Sequence, residues 1–123
     1  MKLEFVANVN EYDEHVVKLS DFDSAQAKKL QSLINYLITD KDKFINITTL
    51  DFIQAVNCKM ILRVAEEDLG IWTTDNIHFI CDLTINGYKN IIKLIEPFCK
   101  RESKGYQYLY DLDTPIDFLF SGS

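Results

Sequence analysis

The stretch Asn57–Gly70, NCKMILRVAEEDLG, decides the fold, because it fits two incompatible templates. As a strand, Met60, Leu62 and Val64 would face a core while Lys59 and Arg63 faced outward. As a helix, Cys58, Ile61, Leu62, Ala65 and Leu69 recur at helical spacing, and Gly70 stands where a C′ glycine closes a helix. The helical template takes up more positions, and the run is long for a single strand. A helix over residues 57–69 is therefore the expectation, with a strand as its alternative.

Working outward, the neighbouring segments alternate in type. Upstream, FINIT (44–48) has strand composition, and Phe22-Asp23-Ser24-Ala25-Gln26 has the spacing of a capping box, with Asp23 at the N-cap. Ala27, Leu30, Leu33, Ile34 and Leu37 then form one apolar helical stripe, which ends at the charged turn 39–42. KLEFVANV (2–9) and HVVKLS (15–20) read as a strand pair around the polar turn NEYDE. Downstream, IHFICDL (77–83) is a strand by composition. INGYKNIIKLIEPF is a helix with Tyr88, Ile91, Ile92, Ile95 and Phe98 on one face, ended or kinked at Pro97.

The chain closes on YQYLYDLDTPIDFLF (106–120). Residues 106–111 alternate like a strand, and Thr114-Pro115-Ile116-Asp117 has the chemistry of a helix start. A short terminal helix through Phe118–Phe120 is expected, with a hairpin as the alternative. The resulting order, β-β-α-β-α-β-α-β-α with about four helices, implies an α/β domain with a mixed sheet.

The bulk properties bound the function. At 123 residues, 47% hydrophobic and 26% charged, the chain suits one globular domain spanning residues 1–123. A net charge of −6 disfavours nucleic acid, whose phosphates reward a basic face, and suits solubility or a basic protein partner. No apolar run approaches membrane-span length and the N-terminus lacks signal-peptide features, so a cytoplasmic protein without membrane contact is expected. Cys58, Cys81 and Cys99 are widely spaced, which favours buried thiols over a disulfide frame or zinc site.

Three stretches resemble the STAS domain of anti-sigma factor antagonists and sulfate transporters. DFDSAQAKKLQSLI is similar to that family's strand-to-first-helix segment. FINITTLDFIQAVNCKMILRV is similar to its strand–loop–helix core, and IHFICDLTINGYKNIIKLI with YDLDTPIDFL to its closing elements. The resemblance implies a STAS-like fold and a non-enzymatic regulator whose partner, a regulatory kinase or anti-sigma-like factor, is bound at the loop and helix start after the third strand. On that basis the partner-binding residues are Gln54, Ala55, Val56, Asn57, Lys59 and Arg63. The family's phosphorylated serine falls on Ala55 or Val56, neither of which accepts a phosphate, so that switch cannot operate there. Thr48 and Thr49 are the nearest hydroxyls.

Trp72 and the tyrosines Tyr106, Tyr108 and Tyr110 form a candidate second interface, and a homodimer is compatible with such a surface. No cofactor is implied, since the four glycines are isolated. No metal site is implied either, since Glu11, Asp13, Glu14 and His15 match no ligand spacing. Two alternatives stand beside the regulator. One is an acidic stoichiometric inhibitor of the immunity type, using Glu66–Asp68 and Asp111–Asp117. The other is a small-ligand or hydrolytic site built on His78, Asp82 and a remote thiol.

Overall fold

A computed structural model describes residues 1–7, 14–40, 44–100, 105–110 and 116–122. In it the stretch that decides the fold is a strand. Lys59–Val64 (β5) sends Met60 and Leu62 into the core and leaves Lys59 and Arg63 exposed. The helical reading of 57–69 fails because β5 finds a partner that periodicity does not reveal. His78–Leu83 (β7) runs parallel to it in unbroken register, from Lys59 opposite His78 to Val64 opposite Leu83. Gly70, expected to close a helix, instead opens the strand Gly70–Thr73 (β6) with φ 76°, a left-handed conformation suited to glycine. Trp72 thus belongs to a strand.

Two mixed sheets result. The first has the order β4-β1-β2-β9-β8, formed by Gln54–Ala55 (β4), Lys2–Val6 (β1), His15–Ser20 (β2), Ile116–Ser121 (β9) and Tyr106–Tyr110 (β8). The second has the order β3-β5-β7-β6, with Phe44–Asn46 (β3) at one edge. A 3₁₀ turn, Ile47–Thr49, follows β3. The helices are Ser24–Thr39 (α1) and Ile85–Lys100 (α2), and they pack against each other. The α/β class is observed, but the expected four helices and the STAS-like order are not.

The terminal helix is also corrected. Thr114 and Pro115 lie outside the described residues, and Ile116–Ser121 is a strand, as in the hairpin alternative. It pairs antiparallel with β8 and parallel with β2, so it sits inside the sheet. Ile116, Phe118 and Phe120 alternate inward; Phe120 stacks on Phe22 with ring centroids 4.1 Å apart and meets Phe98 of α2 edge-on at 5.0 Å. Burial of a large apolar side chain on each inward pleat outweighs a local cap signal whose worth is about 1 kcal/mol.

The helices largely follow their sequences. Asp23 caps α1 and Gln26 completes the box, while Ala27, Leu30, Ile34 and Leu37 are buried. In α2, Thr84 Oγ1 accepts the Gly87 N–H, and Asp68 Oδ1 in turn accepts both the N–H and hydroxyl of Thr84. Helical structure continues past Pro97 to Lys100. The buried Tyr88 hydroxyl lies 2.7 Å from the carbonyl oxygens of both Arg63 and Cys81, fixing α2 over one face of the four-stranded sheet.

The shortest strand-to-strand crossing between the two sheets joins β4 to β5. Residues 54–64 leave the first sheet as β4 and enter the second as β5. At the crossing, Asn57 accepts the Phe5 N–H and donates to the Phe5 carbonyl, both at 2.8 Å, as a strand neighbour would. Phe5 and Phe79 meet at 4.7 Å where the sheets approach. Among the described residues, no helix is long and apolar enough to cross a membrane.

Candidate functional site

The four-stranded sheet has one face turned to the core and α2. Strand alternation places a second set of side chains on the other face, and the register orders them in rows. One row runs Phe44, Arg63, Asp82, Gly70; the next runs Asn46, Ile61, Ile80, Trp72; then comes the pair Lys59 and His78. Phe44 is 62% exposed and Trp72 39%, and Ile61 and Ile80 are half-buried. A sheet face of this composition is ordinarily covered by another layer. Here it meets solvent.

Asp82 organises one end of the face. Only 3% exposed, its carboxylate accepts Arg63 Nε at 2.8 Å and Nη2 at 2.7 Å, and the Trp72 indole N–H at 2.9 Å. The Arg63 bonds hold its pKa below the ordinary carboxylate range; burial opposes this and the Trp72 bond assists it. Arg63 is raised in return, chiefly by the same hydrogen bonds. One buried carboxylate therefore sets the orientation of an arginine and a tryptophan, two residue types enriched among binding hot spots.

The other end is built around His78. Asp75 Oδ1 accepts the backbone N–H groups of Ile77 at 2.9 Å and His78 at 2.8 Å, and its Oδ2 lies 2.7 Å from His78 Nδ1. Those bonds hold the exposed Asp75 well below the usual carboxylate range, those from His78 contributing most. Two cavities meet at Lys59. One of about 140 Å³ is bounded by Asn46, Ile61, His78 and Ile80, and one of about 210 Å³ by Ala55, Val56, Asn57 and Ile77. Val56 and Ile77 are each about half exposed. A wider, shallow groove of about 530 Å³ lies elsewhere, between α1 and the turn at 50–52, where Lys29 sits 5.7 Å over the Phe52 ring.

The residues expected to bind a partner thus separate. Lys59, Arg63 and Trp72 share the open face, with Val56 beside it. Gln54 and Ala55 pair with Lys2 and Leu3 at the edge of the other sheet. Asn57 is committed to the Phe5 backbone. Thr48 Oγ1 accepts the Met60 N–H and Thr49 Oγ1 donates to the Asn46 carbonyl, so both hydroxyls are engaged in the fold. Tyr106, 68% exposed, and Tyr108 meet edge-on at 6.0 Å on β8, while Tyr110 donates to the Asp68 carbonyl.

The remaining alternatives separate too. Asp82 pairs with Arg63 and not with His78. Burial pushes the thiols of Cys58 and Cys81 up to about 11 and about 12, so neither is a ready nucleophile. Asp68 of the acidic cluster is bonded to Thr84, Glu66 and Glu67 stay exposed, and most of Asp111–Asp117 lies outside the described residues. Glu11 and Asp13 also lie outside them.

Sequence reading missed Phe44, Ile61, Ile80 and Asp75 as parts of one surface. The signal was present as alternation in KMILRV and HFICDL, but it means a shared face only once β5 and β7 are paired. No family model, curated protein or solved structure matches this chain.

Proposed function

We propose that this chain is a non-enzymatic protein-binding module that receives an apolar and acidic segment of another protein on the outer face of its four-stranded sheet. The observation that carries the proposal is the row Asn46, Ile61, Ile80, Trp72, open to solvent and flanked by Phe44, Lys59 and Arg63. Burying such a face gives the apolar driving force, and the clamped Arg63 and Trp72 lose little freedom on binding. Charge supports the choice of partner. The chain carries −6, yet among the described residues the carboxylates on this face, Asp75 and Asp82, are each engaged with a neighbour. An acidic partner is steered to this face and repelled elsewhere.

A regulatory kinase or anti-sigma-like factor is the partner that the STAS resemblance implies, and it rests on that resemblance alone. The test is affinity recovery from native-cell extract at low salt with three baits: wild type, Trp72→Ala with Lys59→Glu, and Lys29→Glu in the distant groove. A partner retained by wild type and Lys29→Glu, and released by the face variant, is the expected result. A partner equally bound by all three sinks the proposal. A basic partner released only by a fourth bait, Glu66→Lys with Glu67→Lys, would favour the inhibitor reading instead, and sedimentation as a dimer lost in the face variant would make the occupant a second copy.

A further inference from the structure

Lys59 and His78 stand side by side on adjacent parallel strands, opposite one another in register and on the open face. Both border the cavity of about 140 Å³, whose remaining lining includes Asn46, Ile61, Phe79 and Ile80. Among the described residues no carboxylate pairs with Lys59. His78 differs in having one nitrogen already assigned. Asp75, ionised and anchored by two backbone N–H groups, accepts at Nδ1. The neutral ring therefore keeps its proton on Nδ1, and the proton gained on acidification goes to Nε2. The pair then presents an ammonium and an imidazolium N–H at one small cavity beside apolar ground.

We infer that the cavity between Lys59 and His78 is an oxyanion subsite, and that it takes an acidic side chain of the protein segment docked on this face. The inference rests on the proposed docking reading and specifies it further. An anion held there favours the protonated imidazole, so affinity is higher in acid than in base. Among the described residues, the charged groups facing His78 are Asp75 from the preceding turn and Lys59 from β5; β3 contributes the neutral Asn46, and β6 contributes Thr73, whose hydroxyl donates to the His78 carbonyl.

The test needs no partner, because the chain has only two histidines and one tryptophan. Sulfate, a dianion throughout pH 5.5–8, is titrated at constant ionic strength against chloride while the ring protons of His78 and His15 are followed by NMR. The expected result is a saturable shift of His78 with His15 unmoved, about 5-fold tighter at pH 5.5 than at pH 8, an order of magnitude set by one added charge at the site. Lys59→Gln, an exposed change checked for folding by circular dichroism, should weaken it by a similar factor, and His78→Gln should remove the pH dependence, read from the Lys59 resonances. A short Leu-Glu-Glu-Leu peptide should shift both His78 and the Trp72 indole, and its Gln-for-Glu version should not. Equal movement of both histidines, or equal binding by Lys59→Gln, overturns the subsite. Sulfate binding without a preference for the Glu peptide overturns its assignment to a partner side chain. A silent titration, with the partner still released by Trp72→Ala, would remove the subsite and leave the docking face standing. Saturable sulfate binding, with the partner unaffected by Trp72→Ala, would do the reverse.

Discussion

Replacing Asp82 by Asn keeps the shape of the side chain and removes its charge. The amide retains one acceptor oxygen and turns an NH2 group toward donors, where Arg63 at 2.7–2.8 Å and the Trp72 indole at 2.9 Å now demand acceptors. A hydrogen bond to a charged group is worth about 1.5–3 kcal/mol, and severing a fully buried ion pair costs about 3–5 kcal/mol. The Arg63 side chain is 45% exposed, so water recovers part of its solvation, and the lower range applies. The expected loss is about 2 kcal/mol, or about 8 °C in Tm at about 4 °C per kcal/mol for a domain of this size. Urea unfolding followed by far-UV circular dichroism measures the stability, and the emission of the single tryptophan, at position 72, reports the clamp. The pH dependence has a definite sign. The folded-state pKa of Asp82 lies below its unfolded value, so its stabilisation is full above about pH 4 and fades as pH falls through the folded value. The gap between wild type and Asp82→Asn should therefore be widest near neutrality and narrow below about pH 4. A variant within about 0.5 kcal/mol of wild type at pH 7, with unchanged tryptophan emission, would refute the clamp, since surface changes fall in that range.

Asn57→Asp should destabilise by about 1–2 kcal/mol, because a carboxylate can accept the Phe5 N–H but sets an anion against the Phe5 carbonyl; chemical denaturation measures it. A Cβ at Gly87 would lie 2.7 Å from Asp68 Oδ1, so Gly87→Ala must displace that side chain from Thr84. Leu83 Cβ would stand 3.1 Å away as well, so only part of the alanine's helical advantage of about 1 kcal/mol should appear in an Asp68→Ala background, and it should be largely cancelled in wild type, a difference read by a double-mutant cycle. Cys58, Cys81 and Cys99 are buried and their thiols are raised by burial, so alkylation at pH 8 should follow the unfolding rate; fast labelling of any of them in native buffer would contradict the packing. Asp23→Ala should cost about 1 kcal/mol in thermal unfolding through loss of the α1 cap.

The features that could be read in the sequence are those whose causes are near neighbours. The Asp23–Gln26 box, the stripe from Ala27 to Leu37 and the Tyr88–Phe98 face of α2 depend on residues three or four apart, and each stands as expected. The strand composition of HVVKLS is equally local. Lys59, Arg63 and Trp72 were singled out for other reasons and do share a surface. Phe44, Ile61 and Ile80 went unnoticed because membership of that surface is a property of pairing, which no single segment contains.

The two errors have one cause. NCKMILRV has apolar residues at both helical and strand spacing, and TPIDFLF carries a helix start ahead of a strand pattern. Local energies of about 1 kcal/mol cannot separate such readings. What separates them is a partner. β5 is a strand because β7 lies beside it in register, and β9 is a strand because Ile116 pairs with His15 from the far end of the sequence while Phe120 fills the space between Phe22 and Phe98. The sequence by itself determined the α/β class, the two true helices and the anionic character of the chain, because these sum over local propensity and composition. Only the tertiary structure decided which ambiguous runs became strands and which side chains came to share the open face, because a strand draws its hydrogen bonds and its burial from residues distant in sequence.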